Sequence, residues 1–122
     1  LLYNLMFEVP MIVTFVIGTS EDKDKAGILS ALLPLAGRVI LTAADNPRAA
    51  SAESLAALAR TLPGSRSIQV ETAASAVEAL RMAISGPSTT TVCVAGSLFL
   101  IAEILVQATE NTDIFSHEAV PD

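Results

Sequence analysis

Residues 11–25, MIVTFVIGTSEDKDK, constrain this chain more than any other stretch. A near-continuous apolar run rich in Val and Ile ends at Gly18 and gives way to a charged turn. A run of this kind, without polar alternation, suits a strand covered on both faces. Glycine tolerates backbone angles closed to other residues, so Gly18 lets the chain break out of the strand. Asp22 or Asp24 can then cap a following helix. In an open parallel sheet, ligands bind beyond the carboxyl ends of the strands. Residues 19–25 are therefore expected in a functional crevice.

The same alternation recurs along the chain. Residues 1–8 read as the last turns of a helix, ended by Val9-Pro10 because proline cannot continue the ladder. Strands are predicted at 11–17, 38–42, 66–70 and 90–95, the third short and half polar as an edge strand should be. A helix over 24–33 carries Ile28, Leu29, Leu32 and Leu33 as its apolar stripe, and Pro34 stops it. Another opens at Ser51 or Ala52, repeats Leu55, Leu58, Ala59 and Leu62 at helical spacing, and closes at Pro63-Gly64. Ser75-Ala-Val-Glu78 fits a capping box ahead of a helix with Val77, Leu80 and Ile84 inward. A strongly apolar helix follows Gly96-Ser97 and runs to about Thr109.

This pattern specifies an α/β fold, a three-layer Rossmann-like parallel sheet with helices on both faces. Right-handed crossovers favour the strand order 4-1-2-3, which reverses direction between strands 1 and 4 and opens a switch-point crevice there. Gly18, Thr19, Ser20, Asp22 and Lys23 are expected to meet Gly96 and Ser97 across it. Residues 1–110 are read as one domain, and the polar, aperiodic residues 111–122 as a mobile tail.

Composition narrows the partners. A net charge of −6, with seven scattered basic residues, excludes a nucleic-acid backbone, which demands clustered Lys and Arg. The first eighteen residues contain Asn4, Glu8 and Pro10 and lack a basic leader, so neither a signal peptide nor a membrane span is expected. They also begin without Met and in helical character, as a fragment of a longer protein would. Cys93 stands alone in an apolar run and reads as a buried structural thiol. A single cysteine gives no disulfide framework, which fits a cytoplasmic protein.

Three loops can carry chemistry. In GTSEDKDK, Lys23 offers an ammonium to a carboxylate, although a self-neutralised charge run at a helix start explains the same letters. In AADNPR, Asp45, Asn46 and Pro47 make a turn that projects Arg48, a planar fork suited to carboxylate or phosphate, or simply a surface arginine. Ala95-Gly96-Ser97 offers backbone N–H groups and a hydroxyl to an anion, or is a plain serine cap. The chain has no GxxxxGK[ST] and no defensible metal-ligand spacing. Its lone His117 sits in the tail beside Glu118, so no Ser/His/Asp set and no self-sufficient catalytic residue is visible.

Taken together, VIGTSEDKDKAGILSALLPLAGRVILTAADNPRAASAESLAAL and TVCVAGSLFLIAEIL resemble the C-terminal domain of folylpolyglutamate synthase/dihydrofolate synthase, shared more distantly with the muramyl peptide ligases. The similarity covers about residues 12–110. The resemblance implies an ATP- and Mg²⁺-dependent ligase that joins L-glutamate to a folate or dihydropteroate carboxylate through an acyl phosphate. It implies that Lys23 and Ser97 engage the carboxylate of the incoming amino acid and that Asn46 and Arg48 belong to a substrate-recognising turn. Gly18, Asp22, Asp24, Asp45 and Gly96 would support those loops.

The family's Asp-Gly-Ala-His-Asn-Pro stretch, its first strands and its ATP-binding domain do not occur in this sequence. The resemblance therefore places ATP and Mg²⁺ mainly on a partner domain in cis, with neither bound by this chain alone, and predicts an inactive fragment that self-associates through an uncovered sheet edge. A muramyl-ligase domain, or a non-catalytic Rossmann-like module binding an anion or a partner, are the competing readings. The DKD loop and the GSLF ending favour the folate enzyme.

Overall fold

The computed structural model describes residues 13–86 and 90–110. The helix expected at 1–8 and the tail expected at 111–122 lie outside the described residues. Among the described residues, four strands, β1 (Val13–Gly18), β2 (Arg38–Leu41), β3 (Gln69–Thr72) and β4 (Thr91–Gly96), alternate with four helices. The helices are α1 (Lys25–Leu32), α2 (Ala52–Thr61), α3 (Ala76–Ile84) and α4 (Leu98–Glu110). All strand pairs are parallel, in the order β3-β2-β1-β4, which is the predicted 4-1-2-3 read from the other edge.

Alternation along β1 and β2 sorts the core into two layers. Phe15, Ile17, Val39 and Leu41 point to the face covered by α1 and α2 through Leu29, Leu55, Ala56 and Ala59. Val16 and Ile40 point to the other face, covered by α3 and α4 through Ala76, Ala79, Leu80, Ala83, Leu100 and Ile104. The chain steps from β1 to β2 to β3 with helices on the first face. It then returns past β1 to β4 with its helix on the second, so direction and face reverse together and the crossover hand is kept. Each fully buried Leu or Ile contributes about 1.5–3 kcal/mol, so these two apolar layers hold the sheet between its helices.

Of the two aspartates that the sequence offered as caps for α1, Asp24 serves, accepting a bond from the Gly27 amide at 3.0 Å. Other local expectations are corrected. Pro34 does not simply stop that helix but sits inside a 3₁₀ turn, Leu33–Leu35. The third strand begins three residues later than predicted, because Gly64 at φ +85° starts a 3₁₀ turn over Ser65–Ser67. On α3 the alanines are the buried residues along with Leu80, whereas Val77 and Ile84 are half-buried. Small side chains let that helix lie close to the sheet. Cys93 and its neighbours in β4 are half-buried rather than enclosed, because β4 pairs with β1 alone among the described residues.

Candidate functional site

The carboxyl ends of β1 and β4 meet at Gly18 and Gly96, which are register partners. Gly18 needs its lack of side chain for space rather than for an unusual angle. A Cβ there would stand 2.8 Å from the Thr42 carbonyl and 3.0 Å from Leu100. Gly96 is the residue with the left-handed backbone, at φ +113°, and a Cβ on it would collide with the Gly18 carbonyl. The Ser97 amide donates to that same carbonyl at 2.7 Å, and the Ser97 carbonyl accepts the Ile101 amide at 3.1 Å to begin α4. The backbone N–H of Ser97 is thus engaged within the protein.

Beyond these glycines, two loops are joined by their main chains. The Glu21 amide donates to the Arg48 carbonyl at 2.8 Å, the Ala50 amide donates to the Thr19 carbonyl at 2.9 Å, and Ser20 bridges Ala49 antiparallel. Within the second loop the Asn46 side-chain oxygen accepts the Arg48 amide at 2.8 Å, an Asx turn of the kind Asp-Asn-Pro favours. On its far side, the Asp45 amide donates to the Glu103 carboxylate of α4. The lower end of the loop is anchored by Thr42, fully buried, whose hydroxyl donates to the Ala73 carbonyl at 3.1 Å.

The result is a cavity of about 350 Å³ lined by Thr19, Ser20, Asp22, Lys23, Ile28, Arg48, Gly96 and Ser97. Lys23, Arg48 and Ser97 from three separate loops therefore share one chamber, with Asp22 and Gly96 beside them. Asn46 does not line it; its side chain is spent on shaping the turn that carries Arg48. Asp24 is occupied at the α1 cap. Asp45 lines a different, 480 Å³ cleft with Ser75, Ala76, Val77, Ala102, Glu103 and Val106. Thr19 and Ser20 line the crevice where the sequence placed them, whereas Ile28, its apolar wall, was read only as part of the helix's buried stripe and not singled out for binding.

The charges around the chamber are unevenly used. Glu21 pairs with Lys25 at 2.6 Å, which removes both from contention. Lys23, Arg48 and Asp22 form no ion pair among the described residues. Two cations and one carboxylate can thus face a bound molecule. The same lining suits neither a divalent ion nor a nucleotide's metal, since Asp22 is its single carboxylate and the described residues hold no cluster of three metal-ligating side chains. Among them, too, no helix is long and apolar enough to cross a membrane.

Comparison with known proteins identifies the family and the fold. The profile of the family described as dihydrofolate synthetase, C-terminal domain, matches residues 7–107. The Escherichia coli FolC structure in complex with DHPP and ADP superposes with a TM-score of 0.73 at 25% identity, over 91% of this chain and 26% of that one. Mycobacterium tuberculosis folylpolyglutamate synthase complexed with ADP gives a TM-score of 0.61 at 27% identity, over 87% of this chain and 25% of that one. A bifunctional folylpolyglutamate synthase/dihydrofolate synthase with Mn, AMPPNP and L-glutamate bound gives 0.64 at 25% identity, over 89% and 25%. The chain spans about a quarter of the length of these structures. A search of curated proteins returned no significant match.

Proposed function

The chain belongs to the dihydrofolate synthetase C-terminal domain family, and from that premise we propose that its chamber holds the L-glutamate substrate of an ATP-dependent folate-glutamate ligase. The observation that carries this reading is the convergence of Lys23, Arg48 and Ser97 on one cavity at the β1–β4 switch point. Two unpaired cations beside a serine make a receptor for a dicarboxylic amino acid, since charge-assisted hydrogen bonds are the stronger kind. A bound structure of a relative contains L-glutamate, which supports the choice of amino acid.

In this reading the chain's own residues bind and orient, and the chemistry of activation belongs elsewhere. Lys23 and Arg48 hold the carboxylates, Ser97 adds a polar contact, and the zipped loops fix their spacing. The amine is then presented to an activated folate or dihydropteroate carboxylate supplied by the remainder of the enzyme. Closure of this domain over that carboxylate would shield it from water, the competing nucleophile. Relatives bind ADP, or AMPPNP with Mn. ATP and Mg²⁺ would here be held by the remaining enzyme in cis, because this chamber offers them one carboxylate and the chain has no phosphate-binding glycine loop. The isolated chain is expected to be inactive, and the enzyme to work in the cytoplasm.

The test is kinetic. In the complete ligase, Lys23→Ala and Ser97→Ala should each raise the glutamate KM, by about tenfold for the lysine, with the ATP KM little changed. Normal glutamate kinetics in both variants would remove this site from consideration.

A further inference from the structure

We propose that Asp22 binds the ammonium group of the amino acid, so that the chamber selects an acidic α-amino acid over a plain dicarboxylic acid. This rests on the amino-acid reading above and assigns the one group of the substrate that Lys23, Arg48 and Ser97 leave unrecognised.

The charge inventory leads to it. The SEDKDK loop carries three carboxylates and two lysines, but most are used within the protein. Glu21 is taken by Lys25, whose Nζ donates to the Glu21 carboxylate at 2.6 Å and to its carbonyl at 3.2 Å. Asp24 is taken by the Gly27 amide at 3.0 Å. Asp22 and Lys23 remain, and with Arg48 they supply every formal charge of the cavity lining. The lining is thus two positive charges and one negative. Its complement is a molecule with two negative charges and one positive, the pattern of glutamate or aspartate. A neutral amino acid leaves one cation unmatched, and a diamino acid brings an ammonium with no carboxylate to meet it. A simple dicarboxylate leaves Asp22 facing like charge across a small chamber.

Backbone geometry holds Asp22 in place. Lys23 donates its amide to the Ser20 carbonyl at 3.2 Å, closing a tight turn with Glu21 and Asp22 at its corner. The Glu21 amide is tied to the Arg48 carbonyl at 2.8 Å. Asp22 is therefore one residue from the tie between the two loops, at a spacing from Arg48 set by main-chain bonds. Ile28 supplies the apolar wall that a short methylene chain between the charges would lie against.

Titration of the isotope-labelled 122-residue chain by NMR, with L-glutamate and with glutarate, tests this. Glutarate keeps both carboxylates and lacks the amine. The unaltered chain should bind glutamate about tenfold more tightly than glutarate, with amide shifts at residues 19–23, 48–50 and 96–97. Asp22→Asn should bring the ratio near one while glutarate binding holds or strengthens, and Asp22→Ser should do the same. If either variant keeps its native amide spectrum and its full preference for glutamate, the assignment of Asp22 is overturned while the glutamate site stands. If both ligands bind and Lys23→Ala weakens neither, the amino-acid reading itself has failed. Binding of neither ligand to the unaltered chain overturns both.

Discussion

Gly96 faces the carbonyl of Gly18 so closely that there is no room for a methyl group between the ends of β1 and β4. Its φ of +113° adds a second demand for glycine. Gly96→Ala should therefore destabilise the chain by at least about 1–3 kcal/mol, the usual cost of backbone strain alone. Gly64 provides the comparison, since it too has positive φ (+85°) but nothing within 4 Å of the place where a methyl group would stand. Gly64→Ala should cost about 1 kcal/mol. Urea unfolding of the two variants measures the difference, which is the collision with Gly18. Equal losses would mean that β1 and β4 separate easily at this end.

Glu103 reaches from α4 to accept the Asp45 amide and so steadies the loop that presents Arg48. Glu103→Ala should speed hydrogen exchange at Asp45 by about tenfold, whereas Glu103→Gln, which keeps an acceptor, should change it little. Global stability should fall by less than about 1 kcal/mol, because Asp45 is exposed and water replaces the lost partner. An unchanged exchange rate in the alanine variant would show that the tether does not steady the loop.

Arg38 spans three elements. Its Nε and Nη2 meet Glu71 of β3 at 2.7 Å, and its Nη1 donates to the Met82 carbonyl of α3 at 3.0 Å. Both side chains are less than a third exposed, at 20% and 27%. Glu71→Ala strands a half-buried guanidinium and should cost about 1–2 kcal/mol of stability in urea unfolding. Arg38→Met, which keeps the aliphatic packing and leaves Glu71 bonded to Gln69 at 2.7 Å, should cost less.

Lys25 lies two residues from Lys23 and has a different task. Its pair with Glu21 is solvent-exposed on the carboxylate side, at 60%. Lys25→Ala should change stability by less than about 0.5 kcal/mol and leave glutamate affinity intact. Loss of affinity equal to that of Lys23→Ala would mean that the loop's charge as a whole, rather than one ammonium, attracts the ligand.

The outer side of β4 has no partner strand among the described residues. Unpaired ladder groups favour edge-to-edge association. Sedimentation of the isolated chain should show the weight-average mass rising with concentration into the hundreds of micromolar. A constant monomer mass across that range would dismiss the expectation.

The order of elements was legible because each strand is a distinct β-rich run and each break is a Pro, Gly or cap. The strand order followed from right-handed crossovers with the first three strands placed consecutively, and the half-polar β3 fitted an edge. What could not be read is instructive. Ser65, Arg66 and Ser67 have no periodicity, so nothing marked them as a 3₁₀ turn rather than the start of β3. Ala76, Ala79 and Ala83 are too small to signal burial in a pattern ranked by hydrophobicity, yet all three are buried in the core. At the site, the motifs named the loops but not the direction of each side chain. Asn46 and Arg48 belong to one turn, and an i to i+2 hydrogen bond engages the Asn46 side chain, which does not line the chamber. Neither Asp22 nor Asp24 is distinguishable by type; only the Gly27 bond shows which is the cap.

The loops bearing Lys23 and Arg48 are stitched by main-chain bonds at 2.8 and 2.9 Å, to which no side chain contributes. The frame is therefore indifferent to which residues it displays. Substitutions at positions 22, 23 and 48 change the charge and shape of the chamber without rebuilding the scaffold, so that affinity and folding can drift apart during evolution or engineering.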